Sequence, residues 1–351
     1  MSNLNIVENP QVEYNNLGKS GLKISKFIVG CMSYGTPKWQ GWVLDEEKSL
    51  PLLKYAYEKG INTWDTADAY SQGQSEIIVG KALRQFNIPR ESLVILSKCY
   101  FGVSPTGDPS MSFAVGTQNS GYMLNRVGLS RKHIIDAVDR SVERLGTYID
   151  VLQIHRLDRD TPKEEIMRAL NDVVESGKVR YLGASSMAAW EFQELQWIAK
   201  TNGWHQFVSM QNYHNLLYRE EEREMIPYCK ATGVGVIPWS PVSRGVLCRP
   251  WDSRSSLREE SDGFLKNNIR TSENEVDKEI VDRVEEIAKK RGVSMTCVAM
   301  AWSLKQGYNP IIGLSSEKRI DEALESAKYE LSDEDAKYLE EPYRPKTVKG
   351  H

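Results

Sequence analysis

Four ionisable side chains stand at or just past the ends of short apolar runs. Asp65 closes the run INTWD (61–65), and Tyr70 follows five positions later in DTADAY. Lys98 follows LVILS (93–97), and His155 follows DVLQI (150–154). Together these types suit the reduction of a carbonyl. Hydride addition builds negative charge on the carbonyl oxygen, which a nearby acid must neutralise. A tyrosine hydroxyl, with an ordinary pKa of about 10, is protonated at neutral pH. A lysine ammonium beside it would lower that pKa and ease proton donation. A carboxylate paired with the lysine would hold it in place and offset its burial. A histidine could hydrogen-bond the carbonyl and orient it.

Taken singly, each residue has a plainer reading. An Asp after a strand is usually a turn or cap residue, and a lone His near a strand end is more often structural. Lys98 alone would be a surface lysine, and Tyr70 a half-buried aromatic. Their shared position at the same end of consecutive runs favours one constellation.

For the four to converge, the elements carrying them must lie side by side and parallel. Besides the three runs above, FIVG (27–30), VRYLGA (179–184), FVSM (207–210), VGVIP (234–238) and PIIG (310–313) read as strands. All are short, apolar and often β-branched, as expected of parallel strands covered on both faces. Between them lie helical patterns. EEKSLPLLKYAYEKG ends in Gly60, a C-cap candidate. SRKHIIDAVDRSVERLG runs from an N-cap at Ser130 to Gly146. TPKEEIMRALNDVVESGK places Thr161 at the N-cap, Pro162 at the first helical position and Gly177 at the end.

Eight strands alternating with helices predict an α/β fold, and eight is the number that closes a (β/α)8 TIM barrel. Tyr14–Ser25 reads as an N-terminal β-hairpin around Gly18, Lys19, Ser20 and Gly21. The chain has 351 residues, whereas such barrels need about 250. The excess falls in termini and long loops, chiefly 99–129 and 241–273. Both follow strand C-terminal ends, where barrel enzymes keep their active sites. No repeat beyond the β/α alternation and no domain boundary is seen, so residues 1–351 are expected to form one domain with a core of about 14–339.

Composition narrows the function class. Lys plus Arg number 45 and Asp plus Glu 48, a net charge of −3, which gives no reason to expect nucleic acid or an anionic membrane surface as partner. MSNLNIVENP lacks a secretory pattern, and no stretch approaches the ~20 apolar residues of a membrane span. The five cysteines show no C-x-x-C spacing and imply no metal site. A cytoplasmic protein with reduced thiols is expected. The oligomeric state is left open.

On these residues the sequence resembles the aldo-keto reductase family from about Tyr14 to Leu339. DTADAY is similar to the family's Asp-x-Ala-x-x-Tyr signature, and SEIIVGKAL stands where the family shows Ser-Glu and then Leu-Gly. The hairpin resembles the family's plug over the barrel bottom. By that resemblance Tyr70 is the general acid, and Asp65, Lys98 and His155 complete the tetrad. Ser71 and Gln72 follow the tyrosine, where glycine is frequent, a departure that touches no catalytic group.

The resemblance also implies a nicotinamide cofactor site. Gly30, Cys31 and Met32 match the turn near the nicotinamide ribose. Ser185 and Ser186 match a Ser-Asn pair that holds the carboxamide, with Ser186 in place of Asn, and Gln211 matches a glutamine that binds the same group. Trp239 matches a ring-stacking position, with core packing as its plainer reading. Ser240, Val242, Ser243, Arg244 and Gly245 resemble the pyrophosphate loop. Gly313, Ser315, Ser316, Lys318 and Arg319 resemble the site for the adenosine 2′-phosphate, and Glu322 an adenine contact, although Ala323 replaces a frequent Asn. Hydroxyls with a guanidinium suit a phosphate dianion, so NADPH/NADP+ is expected over NADH. An exposed helix start capped by Ser316 is the plainer reading. No G-x-G-x-x-G follows the first strand, which argues against a Rossmann site.

Tyr34, Trp39 and Trp42 follow the first strand and could line an apolar substrate pocket for aryl or other bulky aldehydes. The loop lengths are similar to the fungal aryl-alcohol dehydrogenase and versiconal hemiacetal acetate reductase branch. A small-molecule carbonyl substrate is therefore expected. The rival is a cofactor-binding regulatory subunit resembling potassium-channel β-subunits, which retain the tetrad. The short stretch before Tyr14 counts mildly against it.

Overall fold

The computed structural model describes residues 4–109 and 121–350. Two strands, β1 (Tyr14–Asn16) and β2 (Lys23–Ser25), form the expected antiparallel hairpin. Eight more follow: β3 (Ile28–Gly30), β4 (Thr63–Asp65), β5 (Val94–Cys99), β6 (Ile149–Ile154), β7 (Val179–Ser185), β8 (Phe207–Gln211), β9 (Gly235–Val236) and β10 (Ile311–Ile312). Each pairs in parallel with the next through β9, and β10 returns to pair with β3. The circle closes where the Asn309 N–H donates to Val236 O (3.0 Å) and the Ile311 N–H to Pro238 O (2.9 Å). This is the predicted (β/α)8 barrel with its hairpin. The strand at VGVIP is shortened to two residues, and Pro238 has no N–H to extend the ladder.

The barrel interior is packed and capped from below. Ile28, Val94, Leu96, Val151, Ile237 and Ile311 form its core together with Leu17 and Ile24 of the hairpin. The hairpin is held there by Lys19 N–H on Gly233 O (2.8 Å) and by paired amides of Asn15 and Asn309. With the lower end filled, the open end is the one carrying the strand C-termini.

Outside the strands run α1 (Glu46–Glu58), α2 (Gln74–Gln85), α3 (Arg131–Leu145), α4 (Lys163–Glu175), α5 (Ala189–Thr201), α6 (Met225–Thr232), α7 (Leu257–Ser261), α8 (Glu275–Arg291), α9 (Met295–Lys305), α10 (Glu317–Lys328) and α11 (Asp333–Glu340). Ser130 caps α3 by accepting from the His133 N–H, and Gly146 ends it at φ 68°, as expected. Two boundaries differ. In α1 the C-cap is Lys59, with Gly60 one place beyond at φ 95°. In α4 Pro162 is itself the N-cap, with ψ 132°, and the Thr161 hydroxyl instead donates to Asp158 Oδ2 at 2.6 Å. The threonine side chain thus ties the loop to Asp158 and leaves α4 without a side-chain cap.

The SEIIVGKAL stretch fixes α2 against its neighbours. The buried Glu76 carboxylate accepts from Ser97 Oγ on β5 (2.5 Å) and from Arg144 Nε on α3 (2.6 Å). Gly80 packs so close to α3 that a Cβ there would lie 2.2 Å from Leu145 O. Glycine is thus required by the helix approach.

The 241–273 segment is not a bare loop. It contains α7 and short turns at 243–248 and 265–272, and Val246, Leu247, Leu265 and Ile269 bury themselves against α8 and α9. Of the 99–129 segment, 110–120 lies outside the described residues. Among the described residues no helix is long and apolar enough to cross a membrane.

Candidate active site

Parallel pairing places the four ionisable residues on one rim. Asp65 ends β4, Lys98 lies on β5 and His155 directly follows β6, while Tyr70 lies in the turn that leads from β4 into α2. Lys98 is fully buried, and its Nζ lies 2.5 Å from Asp65 Oδ1, 2.8 Å from Thr66 O and 3.1 Å from Tyr70 Oη. The His155 ring meets Tyr70 edge-on, with centroids 5.7 Å apart. Asp65 Oδ2 accepts from Gln153 Nε2 and Gln211 Nε2, both at 2.9 Å. The carboxylate is therefore hydrogen-bonded on both oxygens, which a buried charge requires.

Burial sets the protonation states. It raises the Tyr70 pKa; Lys98 pulls the other way but does not overcome it. The ammonium thus moderates the phenol without producing the net lowering expected from the sequence. Burial also disfavours the Lys98 charge, yet Asp65 and Tyr70 more than offset this and leave its pKa raised. His155 is held well below its ordinary value by burial and then by the charges of Lys98 and Arg156. At neutral pH the site carries a protonated phenol, an ammonium and an uncharged imidazole.

The two residues after Tyr70 have a consequence that their side-chain types concealed. Ser71 and Gln72 both adopt left-handed backbone, at φ 49° and 56°, where non-glycine residues cost about 1 kcal/mol or more. Hydrogen bonds hold both in place. Ser71 Oγ accepts from the Thr36 N–H (3.2 Å), and Gln72 Oε1 from the Ser104 N–H (2.7 Å). Ser71 Oγ occupies space that a Cβ on Gly35 would need, lying 2.1 Å from that point. The strained turn is thereby tied to the loops after β3 and β5.

Above these residues opens a cavity of about 680 Å³ that runs from Tyr70 and His155 past Trp239 to the start of α10. Gly30, Met32, Ser185, Gln211, Trp239, Ser240, Val242, Arg244, Gly245, Gly313, Ser315, Ser316, Lys318, Arg319 and Glu322 all line it. Trp239 is backed by Tyr213, stacked at 4.5 Å, so one face is packed while the residue still forms cavity wall. Ser316 is the helix cap of its plainer reading, its Oγ accepting from the Arg319 N–H at the start of α10, and it also lines the cavity. Arg319 Nη1 donates to Ser315 Oγ (2.5 Å). Arg249, Lys318 and Arg319 enter no ion pair among the described residues, so this end is cationic.

Some predicted residues are not brought to the wall. Cys31 is buried beneath it, with its carbonyl accepting from Ser75 Oγ. Ser186 is buried and its hydroxyl accepts from Trp239 Nε1 at 3.4 Å. Ser243 is buried with its Oγ 3.5 Å from Tyr213 Oη. Tyr34 is fully buried and its hydroxyl donates to Leu314 O, which makes it a brace between β3 and β10 loops instead of a pocket residue. Of the two tryptophans, Trp42 lines the cavity, and Trp39 packs beside it against Tyr70, with centroids 6.2 Å apart.

Other lining residues carry no signature in the chain. Arg258 lies over the Trp42 ring at 3.9 Å, and its Nε donates to the buried Asp262, which also takes Arg244 Nη1. This bridge joins the 241–273 segment to the loop after β3 across the cavity. Phe101, Arg156, Arg249 and Phe264 also line it. Of these, Arg156 alone had a local sign, following His155 directly at a strand end.

The model of the "Aldo/keto reductase family" matches residues 26–344. A versiconal hemiacetal acetate reductase of Aspergillus parasiticus is 66% identical over 338 residues, covering 96% of this chain and 98% of that protein. A Schizosaccharomyces pombe protein provisionally named an aryl-alcohol dehydrogenase is 55% identical over 345 residues, 96% and 97% of the two chains. An aldo-keto reductase of Alternaria alternata is 50% identical over 348 residues, 96% and 93% of the two chains.

Proposed function

The chain belongs to the aldo/keto reductase family and is thus an oxidoreductase acting on small carbonyl compounds; from that premise we propose that it reduces aldehydes or ketones to alcohols with NADPH, Tyr70 giving the proton. The observation that carries this reading is the Asp65–Lys98–Tyr70 chain of contacts, at 2.5 and 3.1 Å, at one end of a cavity of about 680 Å³ that Asp65 and Tyr70 line.

The residues present fit such a cofactor. An uncompensated cluster of Arg249, Lys318 and Arg319 beside two serine hydroxyls suits a 2′-phosphate dianion. Ser315, Ser316, Lys318 and Arg319 would hold that group, and Ser240, Val242, Arg244 and Gly245 would face the pyrophosphate. Ser240, Arg244 and Gly245 have positive φ, a tight turn closed by the Gly245 N–H on Val242 O, which sets the Arg244 guanidinium in the cavity wall. Gly30, Met32, Ser185, Gln211 and Trp239 would surround the nicotinamide, which when bound supplies the hydride. Gln211 spends its amide nitrogen on Asp65 and Gln153, leaving its carbonyl oxygen for a carboxamide N–H.

Within this arrangement each tetrad residue has one task. Neutral His155 offers an N–H to the substrate oxygen and orients it. Tyr70 Oη donates its proton as charge develops on that oxygen, and Lys98 stabilises the phenolate left behind. Asp65 keeps the ammonium charged despite burial. Trp42 and Phe101 form flat apolar walls at this end, which favour aryl or other bulky aldehydes. The same reading takes residues 1–351 as one barrel domain, and places the protein in the cytoplasm.

NADPH consumption with a panel of aryl and aliphatic aldehydes tests the proposal, with Tyr70→Phe alongside. The variant is expected to lose about 10²–10⁴ in kcat while still binding NADPH. Tight NADPH binding with no turnover on any aldehyde would overturn the reductase reading in favour of a regulatory one.

A further inference from the structure

Two cationic regions face the cavity, and the proposed cofactor uses only one. Arg249, Lys318 and Arg319 stand at the far end, and Arg244 and Arg258 in between share the single carboxylate of Asp262. Arg156 stands apart, lining the opposite end beside Tyr70, His155 and Phe101.

Arg156 has no counter-ion among the described residues. Its Nη1 donates to the adjacent carbonyl, His155 O, at 2.5 Å, and it enters no ion pair among the described residues. The nearby carboxylates do not pair with it. Asp158 accepts from the Leu129 N–H (2.8 Å) and Thr161 Oγ1 (2.6 Å), Asp160 is exposed, and Glu191 on α5 takes Arg159 through both oxygens. Burial works against its charged form, and the phenols of Tyr70 and Tyr100 that act on it are protonated at neutral pH. A half-buried guanidinium without an ion pair, standing in the cavity wall, is open to an anion that enters the site. Its planar fork suits a carboxylate or a similar anionic oxygen.

We propose that Arg156 is a substrate-binding residue, and that the substrate is an aromatic aldehyde carrying an anionic oxygen group, a carboxylate or an acidic phenol. Trp42 and Phe101 take the ring, Arg156 takes the anion, and the carbonyl is left to Tyr70 and His155. This rests on the reductase reading above and adds the substrate class to it.

The test compares para-carboxybenzaldehyde with its methyl ester, and an acidic para-hydroxybenzaldehyde with its methyl ether, in wild type, Arg156→Met and Arg156→Lys. The wild type is expected to prefer each anion over its neutral partner in kcat/KM, chiefly through KM. Arg156→Met should lower that preference on the order of tenfold or more, with Arg156→Lys restoring part of it. Loss confined to one anion identifies which group the site takes. An unchanged preference overturns the proposal. So do equal kcat losses on anion and neutral partner with a shifted pH profile, which would make Arg156 a tuning group for Tyr70. If the wild type reduced neither partner, the reductase reading itself would fall. Calorimetric titration of para-carboxybenzaldehyde, with and without NADP+, would still decide the contact: weaker binding to Arg156→Met supports it, and equal binding sinks it.

Discussion

Gln153 on β6 donates its side-chain Nε2 to Asp65 Oδ2 at 2.9 Å, joining residues 88 positions apart. Gln211 Nε2 reaches the same oxygen and also donates to Gln153 Oε1 at 2.8 Å. The carboxylate that holds Lys98 is therefore itself held by two amides, one from β6 and one from β8.

Gln153→Leu removes one donor from a buried carboxylate and the acceptor of Gln211. The expected cost is about 1–3 kcal/mol of stability, with a fall in kcat as Lys98 loses its fixed partner. Urea unfolding and steady-state kinetics on the purified variant check this. An unchanged unfolding midpoint would show that the amides contribute nothing.

Arg319 lies at the cationic end of the cavity with only a serine hydroxyl as partner. Arg319→Ala is expected to raise KM for NADPH by roughly tenfold or more while leaving NADH little changed, since charged hydrogen bonds contribute about 1.5–3 kcal/mol. Paired titrations with the two cofactors measure the ratio. If the preference for NADPH did not shrink, the phosphate site would lie elsewhere.

His155 is buried uncharged, with its pKa well below the ordinary value of 6.5. Between the folded and unfolded pKa values the unfolded chain binds a proton that the folded one does not, so stability rises with pH in that window. The protein should lose stability as pH falls below about 6.5, where unfolded histidine becomes protonated. His133 and His214 are lowered as well, so the contribution of His155 is read as a difference. Thermal melts of wild type and His155→Asn from neutral to acid pH should converge as pH falls. Parallel curves would mean that His155 does not supply this dependence.

Much of the fold was legible because its signals are local. Short β-branched runs, alternating with amphipathic stretches, gave eight strands within a few residues of where they lie. Lys98 and His155 were readable because each sits at a strand end, and strands in a barrel share one direction. The strand over VGVIP came out shorter than its apolar run, since hydropathy does not record the missing N–H of Pro238. The Thr161 cap failed because the helix begins one residue later, with Pro162 at the N-cap, and the threonine hydroxyl donates to Asp158 instead.

The sequence by itself determined the succession of strands and helices along the chain and the residue types that suit proton donation, because these depend on neighbours within a few positions. Tertiary structure alone decided which of them face the cavity. Tyr34 turned inward to Leu314, Ser186 to Trp239 and Ser243 to Tyr213, while Arg156, Phe101, Arg249, Arg258 and Phe264 became cavity wall. It also decided the protonation states, because burial outweighs the local charge of Lys98 on Tyr70. Desolvation depends on everything packed around a group, and partners such as Gln211 and Asp65, 146 residues apart, meet only once the barrel has closed.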